Sequence, residues 1–147
     1  MKILDEQVKI LLEEENLIAA LANITALLNE HFNDINWVGF YFVKNDELVL
    51  GPFQGKVACT HIKFDSGVCG KSATDRETQL IKNVHNFKGH IACDRESNSE
   101  LVVPLIHKDI LYGVLDIDSP TINYFQNKHQ EQMESISTLI AERISKG

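Results

Sequence analysis

Three cysteines, Cys59, Cys69 and Cys93, are the residues best suited to covalent chemistry in this chain. A thiolate is a strong nucleophile, and its sulfur passes reversibly through sulfenic acid and disulfide states. Cys93 sits in Gly89-His-Ile-Ala-Cys-Asp94, with His90 and Arg95 nearby as cations or donors that would lower its pKa. Cys69 sits in Gly67-Val-Cys-Gly70, at the start of an expected helix, where the partial positive charge of the N-terminus would also favour thiolate. Cys59 lies between Ala58 and Thr60 on an expected strand. The alternative for each is a buried, inert thiol, and it fits Cys93 least because its neighbours are polar.

Carboxylates and aromatics form the second constellation. Asp116 and Asp118 stand two apart on an expected strand, so they share a face, although Asp is depleted in strands. Side by side they repel, and one would hold a proton near neutral pH. A protonated acid can donate to an oxygen, and an ionised one can hold an ammonium group. The other reading is a strand end running into solvent before Ser119-Pro120. Glu100 opens the preceding strand and could stand beside the pair as a third carboxylate. On an earlier strand Trp37, Gly39 and Tyr41 share one face, and Val38, Phe40 and Phe42 the other. Two amphipathic aromatics flanking a glycine leave space between them that can cradle a small ligand, or they simply cover sheet surface.

Other chemistries have weaker support. Cys59-x-His61, His85, His90 and Cys93 supply nitrogen and sulfur donors, but their spacing is irregular and paired short-spaced zinc ligands are missing. The phosphate-binding patterns GxxxxGK[ST] and GxGxxG do not occur, nor does the serine nucleophile elbow GxSxG.

These residues need elements to position them. Leu17, Leu21, Ile24 and Leu28 fall at helical spacing, so residues 5–32 are expected to be helical. Met133, Ile136, Ile140 and Ile144 make an apolar stripe on a second helix over 126–145. Between them the period changes to two. Strands are expected over Asn36–Val43 and Glu47–Leu50, turning at Lys44-Asn-Asp46, and over Val57–Ile62 and Gln79–Val84. Gly67–Thr74 reads as a short helix. Ser99–Ile106 and Asp109–Ile117 read as a hairpin turning near His107-Lys108. Terminal helices around a mostly antiparallel sheet make an α+β domain. The segment from Asn83 to Asn98, which carries Cys93, is long for a loop and reads as either functional or flexible.

Composition limits the partners. With 147 residues the chain has one domain's worth of sequence, and a net charge of −7 without a basic run argues against a duplex-binding surface. No apolar stretch approaches the length of a membrane span, and Met1 to Gln7 is too polar for a secretory signal. The expected location is the cytoplasm, where thiols rest reduced. Three cysteines without a CxxC disfavour structural disulfides.

Six strings then occur in order: Asn36-Trp-Val-Gly-Phe-Tyr41, Leu50-Gly-Pro-Phe-Gln-Gly55, Gly67-Val-Cys-Gly70, Gly89-His-Ile-Ala-Cys-Asp94, Ser99-Glu-Leu-Val-Val-Pro-Leu105 and Gly113-Val-Leu-Asp-Ile-Asp-Ser-Pro120. Together they closely resemble the GAF-domain free methionine-(R)-sulfoxide reductases. The resemblance implies that residues 1–147 form a single GAF domain, often a homodimer, acting on free methionine sulfoxide. It implies Cys93 as the attacking cysteine, Cys59 as the resolving cysteine and Cys69 as an auxiliary one. It implies Trp37 and Tyr41 around the substrate methyl, and Glu100, Asp116 and Asp118 as the acidic binding and activating cluster. No cofactor or metal would be bound, and reducing equivalents would come from a thioredoxin-like dithiol. For Cys59 to reach Cys93, the 83–98 loop would have to fold back over the sheet as a lid that changes with redox state. The rival is a GAF module that senses a small molecule or redox state without turnover; the lack of an output module beside the domain argues against it.

Overall fold

Period-two apolar patterning becomes one six-stranded antiparallel sheet. In the computed structural model, which describes residues 2–87, 89 and 96–147, the strands are β1 (Trp37–Lys44), β2 (Glu47–Gly55), β3 (His61–Lys63), β4 (Gln79–Ile81), β5 (Ser99–His107) and β6 (Ile110–Ser119). Their order across the sheet is β3-β2-β1-β6-β5-β4. The helices are α1 (Ile3–Leu11), α2 (Leu17–His31), α3 (Gly67–Asp75) and α4 (Asn127–Ser145), with a short 3-10 turn at Val84–Asn86. This is the expected α+β arrangement.

The two sheet faces have different jobs. Val38, Phe40, Leu101, Val103, Leu105, Leu115 and Ile117 point to one side. There they pack with Leu21, Ile24 and Leu28 of α2 and Met133, Ile136 and Ile140 of α4, so both helical stripes are core. The opposite side carries a smaller core of Trp37, Tyr41, Leu48, Ile62, Val102 and Val114, closed by Val68, Cys69 and Ala73 of α3. The candidate chemistry lies on this second face.

The expected single helix over 5–32 is instead two, broken at residues 12–16. Asn16 caps α2, its side chain accepting from the Ala19 amide at 2.9 Å. The Arg143 guanidinium, arriving from α4, donates to the carbonyls of Leu12, Glu14 and Glu15. Carbonyls that a helix would have paired internally are thus satisfied from outside, which a local periodicity cannot reveal. The β1–β2 hairpin turns where expected, at Asn45 and Asp46, both in the left-handed region that this tight connection requires (φ 51° and 65°). The β5–β6 hairpin turns one residue later than expected, at Lys108 and Asp109, which adopt the same conformation. Gly113 lets β6 approach β1 closely: a Cβ there would lie 2.0 Å from the Tyr41 carbonyl oxygen.

The expected strand Val57–Ile62 is mostly not a strand. Only His61–Lys63 pairs with β2, and residues 57–59 take no regular structure, with Val57 90% exposed. Cys59 therefore sits on an irregular, half-buried approach to β3.

Candidate active site

Strand register assembles the acidic cluster. Glu100 on β5 pairs directly with Asp118 on β6, which in turn pairs with Trp37 on β1. One step along, Val102, Asp116 and Gly39 form the next row. Residues directly opposite on one face bring their Cβ atoms to roughly 5 Å. Three carboxylates from two strands therefore crowd together, and α3 covers them. The Sγ of Cys69 and carboxylate oxygens of Glu100 and Asp116 lie within 4.8 Å of one another. All are buried: Glu100 is 7% exposed, Asp116 6% and Asp118 8%, which excludes the reading of a strand end in solvent.

Burial and crowding set the protonation. Glu100 is held well above the usual carboxylate range, first by burial, then by the charges of Asp116 and Asp118, to both of which it is hydrogen-bonded. Burial and crowding thus favour a protonated carboxyl in the cluster, and the three groups titrate together rather than singly. Cys69 departs from expectation. The helix N-terminus was expected to favour its thiolate, but burial, the three carboxylates and a hydrogen bond to Asp116 push the thiol up instead. Desolvation and nearby negative charge outweigh the half-charge of a helix end. Cys69 is a free, buried thiol and a poor nucleophile. Cys59 is disulfide-bonded. Cys93, His90 and Arg95 lie outside the described residues, so the expected role of the attacking cysteine and the lid-like path of its loop are not described.

The aromatic pair is present but differs from the open cradle expected. The Trp37 and Tyr41 rings stack at 5.9 Å between centroids, and Phe53 from β2 stacks on Trp37 at 5.2 Å. A Cβ on Gly39 would come within 2.4 Å of the Phe53 Cβ and 2.7 Å of the Trp37 ring, so the space over the glycine is filled. Tyr41 is 2% exposed, and burial, followed by the charge of Asp116, keeps its phenol protonated well beyond the usual range. Sequence reasoning missed Phe53; its sole signal was its place in Leu50-Gly-Pro-Phe-Gln-Gly55, and the β1–β2 register that sets it opposite Gly39 is not local information. Asn36 was also missed: its amide nitrogen donates to Ser97 Oγ at 3.1 Å beside the acidic strands.

The nitrogen and sulfur donors weighed as a metal set do not converge where they are described. His61 pairs with Glu47 at 2.8 Å, and His85 with Asn98 at 2.8 Å. Among the described residues no helix is long and apolar enough to cross a membrane.

Similarity to known proteins points to the family. The GAF domain family matches residues 14–145. The free methionine-R-sulfoxide reductase of Escherichia coli is 49% identical over 123 residues, covering 84% of this chain and 74% of that one. This chain belongs to the GAF-domain family of free methionine-R-sulfoxide reductases. Among solved GAF-family structures, the fRMsr of Staphylococcus aureus in complex with substrate is 47% identical, with a TM-score of 0.90, over 97% of this chain and 94% of that one. The free methionine-R-sulfoxide reductase of Neisseria meningitidis, solved in complex with its substrate, is 38% identical, with a TM-score of 0.92, over 97% and 86%.

Proposed function

We propose that this chain reduces free methionine-R-sulfoxide to methionine. The observation that carries the reading is the buried Glu100–Asp116–Asp118 cluster, whose burial and crowding favour a bound proton beside a buried aromatic wall. A sulfoxide oxygen is a poor leaving group until it is protonated, and a crowded carboxyl is a suitable donor. The names of the relatives and the two substrate complexes support the same substrate.

In this mechanism the Cys93 thiolate attacks the sulfoxide sulfur while the cluster protonates the oxygen. The hydroxyl then passes from the methionine sulfur to Cys93 as the newly formed bond between the two sulfurs breaks, so methionine leaves and Cys93 is left as a sulfenic acid. The Cys59 thiol displaces that hydroxyl as water and forms a Cys59–Cys93 disulfide. A thioredoxin-like dithiol then reduces that disulfide, taking the oxidation onto its own sulfurs. One sulfoxide and one dithiol yield methionine, water and one disulfide, with no bound cofactor. The oxidised state of Cys59 supports its assignment as the resolving cysteine. Cys69, as a buried protonated thiol against Asp116, fits a supporting role better than disulfide exchange.

Trp37 and Tyr41 would offer ring surface to the substrate methyl, and an ionised member of the acidic cluster would hold the α-ammonium. A residue inside a peptide lacks that ammonium, which is why the free amino acid is preferred. The proposed protein works in the cytoplasm and as a homodimer. The deciding experiment is turnover with a dithiol on separated R and S free methionine sulfoxides. Sustained methionine production from the R form alone is expected. One methionine per chain followed by a stop, despite excess dithiol, would mean a redox sensor instead.

A further inference from the structure

The two buried aromatics have polar ends, and both reach the same segment. Trp37 Nε1 donates to the Lys56 carbonyl at 3.1 Å, and the Tyr41 hydroxyl donates to the Cys59 carbonyl at 2.9 Å. Between these points the chain has no regular structure, and its one large apolar side chain, Val57, is almost fully exposed. Ala58 and Cys59 are only partly buried against the second core, so where the segment stands depends on how its backbone is tied down. The carbonyls that a strand would have given to a ladder go to two side-chain donors instead. The donors themselves are rigid: the rings are 3% and 2% exposed and locked in a three-ring stack with Phe53. Other ties on the segment include Leu50 N–H to the Thr60 carbonyl at 3.0 Å, the Lys56–Glu96 ion pair at 2.5 Å and the disulfide of Cys59 itself.

We infer that Trp37 and Tyr41 are positioning residues for Cys59: their polar ends hold the Lys56–Cys59 segment where the resolving thiol must stand. This rests on the reading of Cys59 as the resolving cysteine. It assigns the two side chains to the recycling half-reaction, in which the Cys59 thiol displaces water from a sulfenic acid, in addition to any contact with substrate. Fixing a thiol at its partner is a proximity effect, so losing the fixing bond slows disulfide formation more than it slows sulfoxide reduction.

The test is Tyr41→Phe, which keeps the ring and removes the donor, with Trp37→Phe as a second variant. Methionine release in the first turnover without reductant is compared with disulfide formation, followed as loss of sulfenic acid trappable by a 1,3-diketone. The expected result is a fall of about five- to tenfold in the ratio of disulfide formation to methionine release, the size of one net hydrogen bond. Amide hydrogen exchange over residues 57–60 should accelerate by a similar factor. A rise in KM with both steps slowed equally would overturn the inference in favour of a substrate-binding hydroxyl. An unchanged ratio with unchanged exchange would also overturn it. Cys59→Ser separates the two claims: if that variant recycles as well as the wild type, the reading of Cys59 fails, whereas accelerated exchange in Tyr41→Phe still reports the tie.

Discussion

Replacing Glu100 by glutamine tests the acidic cluster without changing its shape. In the unfolded chain Glu100 loses its proton near 4.5, while in the folded protein burial and two neighbouring aspartates hold the proton on. Above that pH the folded state binds a proton that the unfolded state has released. Unfolding then releases a proton, and stability falls as pH rises. The stabilising contribution is fully present below the ordinary glutamate range and is lost as pH climbs toward the raised folded-state value. Each pH unit in that window costs about 1.4 kcal/mol per group. Glu100→Gln cannot titrate and keeps a donor for Asp116 and Asp118. Urea unfolding of both proteins at several pH values above 5 should therefore show the variant gaining on the wild type by up to about 1.4 kcal/mol per unit. Subtracting the two curves removes the titrating groups that do not interact with Glu100, leaving the acidic cluster. The same variant cannot deliver a proton to the sulfoxide oxygen, so turnover should fall by about 10²- to 10⁴-fold. Parallel stability curves would refute the claim that the cluster keeps a proton, and unimpaired turnover would refute its use as the donor.

The remaining predictions concern the thiols and the sheet. Cys93→Ser should abolish methionine release, whereas Cys59→Ser should give about one methionine per chain and then stall with a thioredoxin-type reductant, both read by methionine quantification. Cys69→Ser should keep multiple turnovers at a reduced rate, because a hydroxyl can still donate to Asp116; stalling after one turnover would make Cys69 the resolving thiol. Gly113→Ala should lower unfolding stability by about 2–4 kcal/mol in urea titration, since its Cβ would strike the Tyr41 carbonyl and force β1 away from β6.

Much of the site was legible because its signals are local. Period-two spacing put Trp37 with Tyr41, and Asp116 with Asp118, on common faces, and all four are buried on the second face of the sheet. Helical stripes at Leu21, Ile24 and Leu28 and at Met133, Ile136 and Ile140 likewise became core. What failed depended on partners far away in sequence. Residues 12–16 leave the helix because Arg143, some 130 residues on, takes their carbonyls. Residues 57–59 leave the strand and are held instead by Trp37 and Tyr41.

Which residues of this chain can do chemistry is decided half by sequence and half by structure. By itself the sequence determined the residue types, their faces and the ordered motifs that name the family, because side-chain direction and short-range spacing are properties of the backbone alone. Tertiary structure decided their state. Cross-strand register put Glu100 opposite Asp118, and the α3 cover removed water from the carboxylates and from Cys69. A protonation state depends on desolvation and on charges a few ångströms away, so Glu100 became an acid and Cys69 an unreactive thiol only once the chain had folded around them.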